Sequence, residues 1–261
     1  MLDTSWDPWD PKRPESFVFG TDDRFAVSAE RTQRKTRDFP FNTICILEDS
    51  QGWGSGTLIA PQVVLTARHV NLGLPMTVTP AADFAARTTA LARPFGQKIV
   101  PVARWRPHPT LDIGLLFLRD AFPHRRFMLL QPRTARNTLT TLTVAGYPID
   151  RTRGTMWAHS DRIVGVSPAM LTYRIDTAAN QSGSPVWLLG NDGYRILLGV
   201  HVGFRRDAIG NPDVNQAVRI TCEVIDWIRA RCRDFSVTAP VVDRAYGPAC
   251  TGGNTINDSA P

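Results

Sequence analysis

Ser182 stands in a stretch whose residue types could support nucleophilic chemistry. The segment DTAANQSGSPVW, residues 176–187, places this serine between turn-forming residues and the apolar run Val186–Leu189. Glycine, serine and proline at such density predict a tight turn. A turn alone does not need a serine followed at once by Gly183, whereas a serine exposed on a sharp turn can present its hydroxyl as a nucleophile.

A serine nucleophile needs a base, and that base needs a carboxylate to orient it. The chain has only five histidines. His69 lies near the end of GSGTLIAPQVVLTARHV, where apolar sequence gives way to polar sequence, and Asp112 stands directly before the apolar run Ile113–Leu118. Ser182 follows later in the chain, and this order of histidine, aspartate and serine is one of three in which the triad occurs on unrelated folds. The three residues are therefore candidates for one catalytic site.

We predict structural roles for three other histidines. His108 lies in the loop before Asp112, His124 follows Pro123, and His159 lies between expected strands. None stands at metal-ligand spacing from another histidine, cysteine or acid. The sequence therefore predicts no catalytic metal and no other cofactor.

Composition indicates an ordinary globular protein. The 261 residues are 43% hydrophobic and 21% charged, which suits one large domain or two compact lobes. The net charge of +6 comes almost entirely from arginines scattered along the chain, so a solvated basic surface is favoured over a nucleic-acid groove. A nucleic-acid binder would need those arginines on one face, which the sequence does not reveal.

Short apolar runs separated by turn residues predict an all-β fold, because the runs have the length of strands. The predicted strands are Thr43–Leu47, Gly56–Ile59, Val63–Thr66, Met76–Thr79, Ile99–Ala103, Ile113–Leu118, Leu139–Ala145, Ile163–Val166, Leu171–Ile175, Val186–Leu189, Ile196–Val202 and Ala217–Ile220. One later segment differs, since Val224, Ile225 and Ile228 fall at helical spacing behind Thr221, a candidate N-cap.

These elements predict two six-stranded antiparallel β-barrels followed by a C-terminal α-helix. The barrels are expected over about residues 18–125 and 135–220, joined near 120–137, with the helix over about 221–232. Residues 1–17 are predicted to form a polar extension and 235–261 a flexible tail.

The sequence carries few other constraints. No apolar run approaches the roughly 20 residues of a membrane span, and the start MLDTSWDPWDPKRPES predicts no signal peptide. Four cysteines are too few for a disulfide scaffold. Cys222 and Cys232 would lie roughly 15 Å apart on one helix, too far to pair, whereas Cys232 could reach Cys250.

Several ordered blocks resemble the chymotrypsin-fold serine peptidases. These blocks are GSGTLIAP…VLTARHV, DIGLLFL and SGSPVW, and the segments FGTDDRFAV, VAGYP, YRIDTAANQSGSPVW and GVHVGF…NQAVRIT are similar to the bacterial glutamyl endopeptidase branch. The resemblance covers about residues 18–230, which includes most of the expected peptidase domain at 18–234.

The resemblance implies a role for each candidate residue. Ser182 would attack the scissile carbonyl, His69 would transfer the proton, and Asp112 would orient the imidazole. The backbone N–H groups of Asn180 and Ser182 would stabilise the oxyanion. The family usually has glycine where this chain has Asn180, and asparagine is well tolerated if that position needs a positive φ.

The resemblance also bears on activation and substrate preference. Digestive relatives carry aspartate where this chain has Gln181, and a neutral glutamine cannot pair with a new N-terminal ammonium, so activation of that kind is excluded. In the glutamyl branch a histidine and a hydroxyl bind the substrate carboxylate, and here they would be His201 and Thr177. Phe204 departs from the branch and could narrow the pocket. Cleavage near Val18 could create an N-terminal amine that contacts the substrate, as in some relatives.

The expected partners are protein or peptide substrates, with no nucleic acid and no membrane span, and a monomer is expected. Two alternatives stay open, a catalytically weak or inactive binding module and an active serine peptidase with another side-chain preference. Localisation is undecided, because the family is usually secreted and this chain shows no signal peptide.

Overall fold

The structure is a computed structural model that describes residues 17–30, 35–70, 75–132, 140–190, 193–242 and 250. In the first half of this described chain lie β1 (Phe25–Val27), β2 (Ile44–Glu48), β3 (Trp53–Ala60), β4 (Val63–Thr66), β5 (Met76–Pro80), α1 (Thr89–Ala92), β6 (Lys98–Val100), β7 (Trp105–Pro107) and β8 (Gly114–Phe117). The second half contains β9 (Leu129–Leu130), β10 (Thr141–Gly146), β11 (Met156–Val166), β12 (Met170–Tyr173), β13 (Pro185–Leu189), β14 (Arg195–Arg206), β15 (Pro212–Arg219) and α2 (Cys222–Asp234).

The first barrel-like sheet has seven strands in the order β6-β5-β2-β3-β4-β8-β7, all paired antiparallel. In the pairing of β4 with β8, Thr66 lies opposite Gly114. The chain leaving β4 and the chain entering β8 therefore emerge at the same end of neighbouring strands. This register brings the segments that carry His69 and Asp112 together.

The second sheet closes on itself through six strands, β11-β10-β13-β14-β15-β12, with β12 pairing back to β11. Two short strands lie outside this ring, β1 on β11 and β9, which is parallel to β14. The predicted fold class, two antiparallel barrels with a terminal helix, is confirmed. The predicted six strands match the closed ring, whereas the first sheet has one more because the short β7 joins its edge.

One predicted boundary is wrong. The sequence assigned everything from residue 18 to 125 to the first barrel, yet β1 pairs with β11 in the sheet of the second barrel, with Phe25 opposite Ala158 and Val27 opposite Met156. The chain thus begins on the second barrel and crosses to the first. A three-residue strand carries no signal of its partner, since the pairing depends on tertiary contacts.

Alternation along the strands divides the apolar side chains between three clusters, because successive residues of a strand point to opposite faces. In β8, Leu116 lies in the interior cluster of the first barrel and Leu115 in a larger cluster shared by both barrels and α2. Leu142 and Tyr173 belong to the interior cluster of the second barrel. The shared cluster therefore joins the two barrels into one body.

The terminal helix begins where the sequence predicts and ends two residues later than expected. Thr221 caps α2, since its side chain accepts a hydrogen bond from the Val224 N–H. Residues 235–242 were predicted to belong to a flexible tail, and this prediction is wrong. The Val241 carbonyl accepts from the Leu130 N–H, and Val242 is buried against the shared cluster. The rest of the predicted tail, apart from Cys250, lies outside the described residues, as does nearly all of the predicted N-terminal extension.

The disulfide joins Cys222 to Cys250, with their Cα atoms 4.8 Å apart. The sequence had allowed Cys232 as the partner of Cys250, and this pairing is wrong. Cys232 is instead a buried free thiol in the shared cluster, and Cys45 is also a buried free thiol. Neither helix in the described part of the chain has the length and apolarity to cross a membrane.

Candidate active site

His69 and Asp112 are joined by two hydrogen bonds. The Nδ1 atom of His69 lies 2.7 Å from Oδ2 of Asp112, and the backbone N–H of His69 donates to Oδ1 at 3.1 Å. Asp112 is only 7% exposed, so its carboxylate meets the imidazole with little competition from solvent. Because a carboxylate can only accept, Nδ1 carries the proton and Nε2 is left as the basic nitrogen.

The loop before Asp112 is ordered by His108. The backbone N–H groups of Thr110 and Leu111 donate to Nδ1 of His108, and the Arg68 guanidinium donates to the His108 carbonyl. Burial lowers the pKa of His108 from its ordinary value of 6.5, which keeps this nitrogen available as an acceptor. The predicted structural role of His108 thus takes a specific form, because it orders the segments that carry both His69 and Asp112.

Ser182 lies in the turn before β13 and is fixed from the first barrel. The Ser55 N–H, in β3, donates to the Ser182 carbonyl at 2.9 Å, and the Gly183 N–H donates to the His201 carbonyl at 2.8 Å. Gly183 has a φ of +86°, and a Cβ there would lie 2.0 Å from the Ser55 carbonyl oxygen. Only glycine allows so close an approach, which answers why a glycine directly follows the serine.

His69, Asn180 and Ser182 line one cleft between the barrels, with a volume of about 280 Å³. The remaining lining residues come mainly from the first barrel and are Asp49, Gln51, Gly52, Trp53, Gly54, Val70, Met76 and Ile149. Asp112 lies behind His69 rather than in the wall. The structure therefore brings the predicted base and the predicted nucleophile to the same cleft.

Asn180 adopts a φ of +71°, the left-handed conformation that asparagine tolerates better than most residues. The carbonyl before it, that of Ala179, accepts from the Ile149 N–H at 2.9 Å. The carbonyl of Asn180 itself accepts from the Ser55 hydroxyl at 3.0 Å. Both peptide groups that flank Asn180 are thus held by neighbouring segments.

The loop that carries Ile149 is anchored to the N-terminal part of the chain. Arg24, whose side chain is buried, donates to both oxygens of Asp150 at 3.1 and 2.5 Å. The same guanidinium pairs with Asp22. Because the guanidinium binds the Asp150 carboxylate at two points, this ion pair is stronger and more fixed in direction than a single contact.

The two predicted specificity residues are buried rather than open to the cleft. His201 and Thr177 are both 0% exposed, and neither belongs to the lining of the 280 Å³ cleft. The Thr177 hydroxyl has no hydrogen-bond partner among the described residues. His201 Nδ1 lies 2.8 Å from the Tyr173 hydroxyl.

His201 is neutral at neutral pH in this structure. Burial, with a smaller contribution from nearby His69, lowers the pKa of His201 from 6.5 to about 3. Gln181 is also buried and uses its Oε1 to accept the Ala178 N–H, a role internal to the turn.

The start of the described chain docks beside Thr177. The Phe17 carbonyl accepts from the Thr177 N–H at 3.2 Å, and the Asn215 side chain bonds both the N–H and the carbonyl of Phe17. The centroid of the Phe204 ring lies 6.3 Å from that of the Phe17 ring, so Phe204 lies beside the docked segment. Cleavage before Val18 would remove Phe17 and these contacts.

Asp176 anchors the same segment and was missed by sequence reasoning. Its carboxylate accepts the backbone N–H groups of Phe19 and Asp23, and its own N–H donates to Nδ1 of His159. One ligand-type atom from each of Asp23, His159 and Asp176 lies within 4.8 Å of the others. The sequence gave no such spacing for His159, because the three residues converge only through the docking of the N-terminal segment.

Sequence reasoning also missed two residues that support the candidate site. Ser55 and Tyr173 contact the candidate site from strands, where a polar residue reads as one member of an alternating pattern. A serine flanked by Gly54 and Gly56 in an apolar strand is a signal that could have drawn attention to Ser55.

Comparison with known proteins gives concordant matches. Residues 54–193 match the family described as Trypsin-like peptidase domain. Glutamyl endopeptidase of Bacillus licheniformis is 30% identical over 226 residues, which is 80% of this chain and 67% of the relative. Extracellular metalloprotease of Bacillus subtilis is 27% identical, covering 82% and 69% of the two chains.

One solved structure, of a Glu endopeptidase in complex with MPD, superposes with a TM-score of 0.64 at 21% identity. It covers 82% of this chain and 98% of the other. At this identity the match supports the fold alone.

Proposed function

Because the chain belongs to the trypsin-like peptidase family and is a serine-type endopeptidase, we propose that it hydrolyses peptide bonds through His69, Asp112 and Ser182. The observation that carries this assignment is the two-point hydrogen bond of Asp112 to His69, with the ring in the cleft that Ser182 also lines. Sequence order and family both support the same three residues.

In the proposed reaction Ser182 Oγ attacks the scissile carbonyl carbon while His69 Nε2 takes the hydroxyl proton. Asp112 holds the ring in the required tautomer and stabilises the imidazolium that forms. The negative charge that develops on the carbonyl oxygen is stabilised by the backbone N–H groups of Asn180 and Ser182. His69 then donates its proton to the leaving amine, and water hydrolyses the acyl-enzyme by the same route.

A preference for glutamate before the scissile bond is the finer part of the proposal. The buried hydroxyl of Thr177 has no partner among the described residues, and the neutral ring of His201 is also fully buried. A substrate carboxylate would need both groups, because an unpaired buried charge is costly. The identities of the relatives favour this preference, and the depth of the two residues requires the cleft to open when substrate binds.

Active-site labelling and a chelator control test the proposal. A fluorophosphonate probe is expected to label wild-type protein at Ser182 and not the Ser182→Ala variant, and a chelator is expected to leave peptide hydrolysis unchanged. An unlabelled wild type would favour the inactive binding module, and loss of activity with chelator would favour metal-dependent chemistry.

Digestion of a peptide library by the same protein tests the preference. Matched substrates that differ only by Glu or Gln before the scissile bond should differ more than tenfold in kcat/KM. Thr177→Val should reduce that ratio and leave cleavage of the Gln substrate unchanged. A library dominated by small or aromatic residues would establish the alternative preference.

A further inference from the structure

Ser55 commits every polar atom it has to the neighbourhood of the candidate nucleophile. Its N–H donates to the Ser182 carbonyl at 2.9 Å, and its carbonyl accepts from the Thr66 hydroxyl at 2.7 Å. Its hydroxyl accepts from the Tyr147 N–H at 2.9 Å and donates to the Asn180 carbonyl at 3.0 Å. Ser55 is fully buried, so none of these bonds is exchanged for water.

The direction of the hydroxyl proton follows from these partners. A serine hydroxyl has one proton to donate and lone pairs to accept with. Because the Tyr147 N–H can only donate, the Ser55 oxygen must accept from it. The Ser55 proton is then directed to the Asn180 carbonyl, which can only accept.

The two peptide planes beside Asn180 are therefore fixed from opposite sides. Ser55 holds the carbonyl of Asn180, and the Ile149 N–H holds the carbonyl of Ala179. In a trans peptide the N–H points opposite to the preceding carbonyl. With the Ala179 carbonyl bound to Ile149, the Asn180 N–H is turned the other way, and Asn180 lines the cleft.

We propose that Ser55 is a positioning residue for the oxyanion: its hydroxyl fixes the peptide plane that follows Asn180, and this limits rotation of the adjoining plane, whose Asn180 N–H points away from the Ile149 contact and toward the oxyanion. This inference rests on the proposed function, since it needs an oxyanion in the cleft. Ser55 acts from the first barrel on a loop of the second, so the donor is oriented only when the barrels are joined. The Ser55 hydrogen bond matters at this position because Asn180 holds a left-handed conformation, which a residue other than glycine adopts at a cost.

The test compares Ser55→Ala with Thr57→Val, which also removes a fully buried hydroxyl from β3 but one that contacts Thr43. Ser55→Ala should lower kcat at least tenfold with KM changed less than twofold, because the lost interaction acts in the transition state. Thr57→Val should change neither constant by more than twofold. Fluorophosphonate titration counts the active sites in each preparation.

An oxyanion-specific signal separates orientation from general damage. A peptidyl trifluoromethyl ketone bearing the side chain that wild type prefers forms a hemiketal with the nucleophile, and fluorine NMR follows its ionisation. The hemiketal pKa should rise by about one unit in Ser55→Ala, since a weaker oxyanion site favours the neutral form. It should stay at the wild-type value in Thr57→Val.

Ser55→Cys keeps the unbranched shape in a slightly larger side chain with a weaker donor, and its kcat and hemiketal pKa should lie between those of wild type and Ser55→Ala. Wild-type kcat and hemiketal pKa in Ser55→Ala would overturn the inference, as would a rise in KM alone. Failure of both Ser55 variants to fold while Thr57→Val folds would also overturn it, since the hydroxyl would then be a folding determinant. A wild type that neither reacts with fluorophosphonate nor cleaves peptides would instead overturn the proposed function.

Discussion

Three imidazoles near the barrels are buried, and each keeps its neutral form for the same physical reason. Desolvation penalises the charged ring, so the pKa values of His108, His124 and His201 all lie below the ordinary value of 6.5. His124 donates its Nε2–H to the Asn42 carbonyl, because a carbonyl oxygen can only accept. The shift is largest at His201, whose pKa falls to about 3.

His201 should make the fold sensitive to acid. In the unfolded chain its pKa returns to about 6.5, so below that pH the unfolded state binds a proton that the folded state does not. Stability is therefore complete above pH 6.5 and is lost as pH falls toward 3. Between pH 6.5 and about pH 5 the loss from this residue is about 1.5 kcal/mol. Urea unfolding of wild type and His201→Gln at several pH values measures it.

The difference between the two unfolding curves carries the result, because His108 and His124 contribute to both proteins equally. His201→Gln should therefore retain part of the acid sensitivity and lose the share assigned to His201. Parallel curves for the two proteins between pH 6.5 and 5 would show that residue 201 titrates normally in the folded state.

At the scale of the elements, the sequence predicted the strands that have a clear local pattern. All twelve predicted strands overlap observed strands, because each is an apolar run bounded by turn residues. The short β1, β7 and β9 were missed, since two or three residues show no period. The partner of Cys250 was also beyond the sequence, because it depends on the path of residues 235–242 back along the shared cluster.

The Cys222–Cys250 bond should stabilise the folded state by constraining the unfolded chain. The two cysteines are 28 residues apart, and closing a loop of that length corresponds to about 3.5 kcal/mol in the chain-entropy account. In the double variant Cys222→Ser/Cys250→Ser, the free energy of unfolding measured with urea should be lower than that of wild type by about this amount. Its kcat/KM should stay within twofold of wild type, since neither cysteine lines the cleft.

Peptide mapping without reductant provides the direct check on this bond. A fragment pair linking Cys222 and Cys250 is expected, with Cys45 and Cys232 alkylated only after unfolding because both thiols are buried. A Cys232–Cys250 fragment pair would contradict the structure. Equal stability of the double variant and wild type would contradict the energetic argument alone.

At the scale of the whole molecule, the residues of the proposed site come together because the two barrels meet at one turn. His69 and Asp112 belong to the first barrel and Ser182 to the second, and Ser55 bonds across the junction. The order of these residues along the chain and their resemblance to a family allowed all three to be chosen from sequence. The contacts across the junction could not be predicted, because they join segments more than ninety residues apart that share no local pattern.

Gly183 should be the residue least tolerant of a side chain at this junction. A Cβ there would lie 2.0 Å from the Ser55 carbonyl oxygen and 2.2 Å from the Thr66 hydroxyl, so the barrels would have to separate. Gly210 has a similar φ of +91° with open space around it, which makes Gly210→Ala the matched control. Both variants carry the left-handed strain of about 1–2 kcal/mol, and only Gly183→Ala adds the collision. Gly183→Ala is therefore expected to lose more than about 3 kcal/mol of stability and at least a hundredfold in kcat/KM, measured by urea unfolding and peptide hydrolysis. Equal losses in the two variants would mean that backbone conformation, and not the contact between barrels, determines the glycine.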